Sequence, residues 1–247
     1  MSTRMAGRPA VESLLRAALA HVPSKGFTLV SIRSAIPTAS QWKPSNVDRA
    51  LSVMFPGPDS ASTSAPRRLF QTWDNHVTEE LNEKFRHVTG LSNDEQAVQW
   101  LCDRLMKSDA VKSHLLLPLS LISKESCFTP INTSVLLTVP ISVPNPGPLM
   151  MRAVKIAEEA CFATDMITEK GPLWYTTRMR LAFAYGAAEL ALATLPSVSA
   201  QEAVGLFQRI SQTPGVYDIS QHTLTSLKIW ATWGGRGWLG ILRSFGL

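Results

Sequence analysis

The sequence predicts an all-α protein, and three observations carry that prediction. The stretch Gly171–Ser197, GPLWYTTRMRLAFAYGAAELALATLPS, is apolar on nearly every side from Leu181 to Leu195, with Glu189 as its one charge. A helix apolar nearly all round must be buried. Twice a serine stands three residues before a glutamate at the head of an apolar pattern, Ser92 with Glu95 and Ser199 with Glu202. That is the spacing of a capping box. Leu69, Phe70, Trp73, Val77, Leu81 and Phe85 also fall on one stripe at helical spacing.

Residues 1–10 read as a short N-terminal extension. Arg4, Arg8 and Arg16 with the single acid Glu12 faintly resemble the end of a transit peptide, although helical patterning begins by Val11. Residues 11–59 read as a helix-turn-helix-like region. Leu14, Leu15, Ala18 and Val22 make one helix, and Gly26 ends it with the positive φ a C-terminal glycine permits. Thr28 is placed to cap a second helix holding Val30, Ile32 and Ile36 before Pro37. The run AALAHVPSKGFTLVSIRSAI resembles the start of the TetR-type DNA-binding domain. Its third helix is weak here: Pro44 interrupts Thr38–Ser45, Asn46–Phe55 is short, and only Asn46 and Arg49 suit base edges.

Residues 60–219 read as a helical domain. A polar linker (60–66) leads to a helix over Arg67–Val88, and a second helix follows Ser92 with Val98, Leu101, Cys102 and Leu105 inward. Ala110–Ile122 predicts a further short helix, and Phe128–Leu149, with five prolines, an irregular connection. Met150–Asp165 predicts a helix with Val154, Ala157 and Cys161 inward. The central apolar helix, about 15 residues, is too short for a bilayer, which needs roughly 20. Ala200–Ile210 is the last helix of this domain.

Residues 220–247 predict an amphipathic, membrane-associating helix. Leu227, Trp238, Ile241, Leu242 and Phe245 share a stripe, with Trp230 and Trp233 beside it and Arg236 and Arg243 towards one flank. Aromatic and aliphatic groups below with cations above suit the membrane–water interface. The glycines 234, 235, 237 and 240 each cost such a helix roughly 1 kcal/mol in water. The plain alternative is a C-terminal helix docked on the body.

The composition narrows the chemistry. Hydrophobic residues make up 45% of the chain and charged ones only 17%, so there is enough for a core and a surplus of apolar surface to hide. A net charge of +5 favours an acidic partner, such as anionic lipid or nucleic acid. Cys102, Cys127 and Cys161 form no disulfide framework or metal motif, which suits a reducing compartment. The five histidines are scattered, and no phosphate loop, nucleophile elbow or dinucleotide fingerprint occurs. Glu158-Glu159 and Asp165 lack the Glu-x-x-His partners of a di-iron bundle. The expectation is a protein that is not an enzyme and has no metal or cofactor.

Two blocks, LLRAALAHVPSKGFTLVSI and LWYTTRMRLAFAYGAAELALA, resemble the best-preserved stretches of a mitochondrial family, the ninth-numbered Coq proteins of ubiquinone (coenzyme Q) biosynthesis. The match is carried by Ala17, Ala18, Leu19, Val22, Pro23, Gly26 and Ile32 in the first block. In the second it is carried by Trp174, Tyr175, Thr176, Arg178, Leu181, Tyr185, Glu189 and Leu190. Residues 37–66 depart from the family pattern, and Thr177 stands where the family often has a base.

The resemblance implies a TetR-like helical bundle that is not a repressor. It implies a non-enzymatic accessory protein, peripheral on the matrix side of the inner mitochondrial membrane, that holds an isoprenoid or other lipid. It further implies delivery of the ubiquinone intermediate to the di-iron demethoxyubiquinone hydroxylase, with Trp174 and Tyr175 facing that partner and Arg178 beside them. The lipid is expected against Phe183, Gly186, Ala187 and Leu190, where small residues leave room, with Met150, Val154 and Ala157 opposite. Arg178 is expected to pair with the acids of 158–165. A homodimer follows by analogy with TetR-like folds. The competing reading is a TetR-type transcriptional regulator, which predicts duplex binding with a steep salt dependence. The weak third helix and the interfacial tail argue against it, so no nucleic-acid partner is expected.

Overall fold

The computed structural model describes residues 7–36, 44–59, 61–88, 90–124, 146–166 and 172–212. Among them every regular element is a helix and none is a strand. The chain divides into two compact units, one ending at Val77 and the other beginning at Thr78.

The first unit holds α1 (Gly7–Ala18), α2 (Val22–Lys25), α3 (Leu29–Ser34), α4 (Pro44–Met54) and the head of α5 (Ala65–Phe85). Leu15, Ala18, Val22, Ile32, Leu51 and Leu69 are buried. Three rings lock its centre: Phe27 meets Phe70 edge-on at 5.1 Å and Trp73 at 5.8 Å, and Phe70 stacks on Trp73 at 5.7 Å. Gly26 takes φ 72° and donates its N–H to Val22 O at 2.8 Å, as the sequence predicts for a helix-ending glycine. Thr28 does stand at the N-cap of α3, but its hydroxyl caps nothing there. It donates backwards to Lys25 O at 3.0 Å, while Ser31 Oγ donates to Gly26 O at 2.5 Å. The turn is therefore tied by side chains reaching back to the preceding helix. Pro44 opens α4 instead of interrupting a helix, because a first-turn proline forfeits no helical hydrogen bond. Arg33 pairs with Asp48 at 3.3 Å and ties α3 to α4.

The second unit holds the rest of α5, then α6 (Asn93–Ser108), α7 (Lys112–Lys124), α8 (Gly147–Ala163), α9 (Pro172–Thr194) and α10 (Ala200–Ser211). Helices α6, α8, α9 and α10 form a ring of neighbours, α6 touching α8 and α10, and α9 touching both as well. α7 packs against α8 and α9. The interior is filled by Trp100, Leu101, Leu105, Ile156, Tyr185, Leu192 and Phe207, among others. Both expected capping boxes are formed. Ser92 Oγ accepts from Glu95 N at 3.3 Å and Ser92 N donates to Glu95 Oε2 at 3.0 Å, with the same exchange between Ser199 and Glu202. These backbone and hydroxyl bonds hold both carboxylates below their ordinary pKa of 4.5.

Two helices differ from expectation. α8 begins at Gly147, because Pro148 sits in its first turn where proline is tolerated. α9 runs 23 residues, well beyond the apolar core segment. Its aromatic and basic first half meets the end of α8 through the ring and ion-pair contacts of Arg178 described below. No helix among the described residues is long and apolar enough to cross a membrane.

Candidate functional site

The α8–α9 pair carries most of the residues the sequence singles out. Small side chains recur along it: Ala153, Ala157 and Ala160 on α8, and Ala182 and Ala188 on α9, are all buried. A methyl group added at Gly186 would lie 3.4 Å from Ala153 Cβ, which is already van der Waals contact. On the Ala153 side there is thus space beside Gly186 for one methyl in ordinary contact. Small residues let two helix backbones approach, and the approach uses up the space that small volumes leave. Of the expected lipid-lining residues, Ala157 and Ala187 are buried in this packing, while Met150, Val154, Phe183, Gly186 and Leu190 are half-buried.

Two ion pairs join the same two helices. Glu189, the lone charge of the apolar segment, receives a two-pronged contact from Arg152. Nη1 donates to Oε2 and Nη2 donates to Oε1 at 3.1 Å. Tyr185 OH also donates to Glu189 Oε1 at 2.9 Å, and Arg104 Nε donates to Tyr185 OH at 3.2 Å. Arg104 Nη1 in turn donates to Thr78 Oγ1 at 2.8 Å. Glu189, Tyr185 and Arg104 are buried. The chain of bonds thus links α5, α6, α8 and α9 through the interior, and a buried carboxylate is tolerable only because it is met this fully.

The second pair is built differently. Arg178 Nη1 donates to Glu158 Oε1 at 3.3 Å, as the sequence expects, and Glu158 is substantially exposed. The Arg178 guanidinium lies 3.5 Å from the centre of the Trp174 ring and 4.9 Å from that of Phe162. Trp174 and Tyr175 meet edge-to-face at 4.6 Å. Around this stack the surface is apolar: Tyr175 is 67% exposed, Phe162 51% and Met179 43%. Aromatic residues that offer apolar area with one polar tip are the usual anchors of an interface.

Other chemistry is sparse. Burial pushes the Cys102 thiol up to about 11 and also raises that of Cys161, so both stay protonated and poorly nucleophilic near neutral pH. Among the described residues no cluster of His, Cys, Asp and Glu could hold a metal ion. An open groove lined by Glu80, Lys84, Asp103, Met106 and Lys107 is occupied by ion pairs, Lys84 with Asp103 and Lys107 with Glu80, each at 2.6 Å. The residues expected to meet a membrane, Leu227, Trp230, Trp233, Arg236, Trp238, Ile241, Leu242, Arg243 and Phe245, lie outside the described residues.

Sequence reasoning missed Arg152 and Arg104. Arg152 follows Met150 and Met151 and reads as a surface charge. The available signal was Glu189 itself, since a lone carboxylate in a buried helix requires a cation from a neighbouring helix. No family model matches the chain, and no curated protein or solved structure is detectably similar to it. The likeness to the ubiquinone-biosynthesis family rests on the two sequence blocks.

Proposed function

We propose that this chain is a non-enzymatic lipid-binding accessory protein of ubiquinone biosynthesis. In this reading it binds an isoprenoid quinone intermediate and presents it to the di-iron demethoxyubiquinone hydroxylase at the matrix face of the inner mitochondrial membrane. The observation that carries the reading is the aromatic surface at the head of α9. Phe162, Tyr175 and Met179 stay exposed around Trp174, in the sequence block that resembles the family's partner-facing segment. The lipid is assigned to the half-buried side chains of Met150, Val154, Phe183 and Leu190, beside the Ala153–Gly186 contact. Residues 220–247 are assigned to the membrane surface. Burial of an isoprenoid chain at about 0.8 kcal/mol per CH₂ is the driving force that makes extraction from a bilayer feasible.

The test is association with the purified hydroxylase. The reading expects the Trp174→Ala, Tyr175→Ala double variant to bind at least about tenfold more weakly, with its melting temperature little changed. Unaltered association accompanied by a large drop in melting temperature assigns both residues to the fold and removes the reading's main support.

A further inference from the structure

We infer that the head of α9 carries a binding site for a carboxylate borne on an apolar body, with Arg178 as the group that holds it. The inference stands on the geometry of Arg178 and does not depend on the ubiquinone reading. Arg178 is 94% buried, taking its 6% residual exposure, yet its Nη2 is hidden from water and donates to nothing among the described residues. A buried donor left without an acceptor carries the full penalty of its lost hydration. Among the described residues its one hydrogen-bonded anion, Glu158, engages Nη1 alone, at 3.3 Å, and is itself 45% exposed at the side chain. The guanidinium therefore stacks against Trp174 and Phe162 while its forked donor set is only half used.

A planar fork of this kind matches a carboxylate through both Nη atoms. An incoming carboxylate takes Nη2 and draws Nη1 from Glu158, whose side chain turns to the solvent it already meets. The apolar rim of Phe162, Tyr175 and Met179 selects the rest of the ligand. It favours an aromatic or aliphatic acid over a strongly hydrated phosphate, which would lose more water than one guanidinium returns. Trp174 sits in the first turn of α9 and covers the guanidinium, so its ring swings aside to admit the ligand. Two sources share this chemistry: a free organic acid, and an acidic side chain of a docked protein flanked by apolar neighbours.

The experiment follows the Arg178 Nε–H resonance of the full chain by NMR during three titrations. The probes are phenylacetate for the free acid, acetyl-Leu-Glu-Leu-amide for the protein side chain, and phenylacetamide as the neutral control. A saturable shift with phenylacetate or the peptide is expected, and the tighter of the two identifies the source. Arg178→Lys, which keeps the charge but not the fork, is expected to weaken binding by at least about tenfold. Glu158→Gln removes the competing carboxylate and is expected to tighten it, which keeps the test decisive should Arg178→Lys fold poorly. No response to either acid, equal binding of phenylacetamide, or no gain in Glu158→Gln overturns the inference.

Discussion

The two ion pairs that join α8 to α9 make an instructive contrast. At one end Arg152 grips Glu189 with both prongs, Tyr185 adds a third bond, and Arg104 supports Tyr185 from α6. At the other end Arg178 touches one oxygen of a half-exposed Glu158, leans on two rings and leaves Nη2 without an acceptor among the described residues. The first arrangement spends both Arg152 prongs and the Tyr185 hydroxyl on one buried carboxylate inside the fold. The second stacks a cation on two rings and keeps part of its bonding capacity back, among exposed aromatic side chains. The contrast separates a group that stabilises the bundle from one suited to meeting something outside it.

Four substitutions break or sharpen this contrast. Glu189→Gln removes the buried anion and leaves Arg152 without its counter-charge, so a loss of about 3–5 kcal/mol in denaturant unfolding is expected. A loss near zero would show that the interior network is slack. Gly186→Val is next: with a new methyl 3.4 Å from Ala153 Cβ, the remaining bulk overpacks the helix pair and costs about 1–3 kcal/mol. Neutral behaviour would indicate open space between α8 and α9 after all. Tyr185→Phe deletes one donor to Glu189 and one acceptor for Arg104, for an expected loss of about 1–2 kcal/mol. Glu158→Gln is expected to cost no more than about 1 kcal/mol, because a pair with an exposed carboxylate is screened by solvent. A Glu158 effect as large as that of Glu189 would erase the distinction between the two ends.

Much of this was legible in the residues. The capping boxes at Ser92 and Ser199 formed as their spacing requires, and the stripe from Leu69 to Phe85 is buried throughout. Arg178 found its acid in the segment where one was expected. The failures have physical causes. The extent of α9 was hidden because WYTTRMR has no apolar periodicity of its own, and the contacts of its Arg178, with Phe162 and Glu158, come from another helix. The glycine and alanines of α9 suggest room, whereas small side chains equally permit close approach, and the residue types alone do not distinguish the two; at Gly186 an added methyl meets Ala153 Cβ at ordinary contact. Arg152 was invisible for the same reason as α9's length: its role is set by a residue 37 positions away.

The proposed function requires a greasy guest on the α8–α9 pair and a membrane under residues 220–247. Native mass spectrometry of the full chain, purified gently and compared with the chain lacking residues 220–247, tests it most directly. The account predicts an isoprenoid or other lipid bound to the full chain, and liposome binding that the truncated chain loses while remaining folded. A full chain that carries no lipid and ignores liposomes contradicts it.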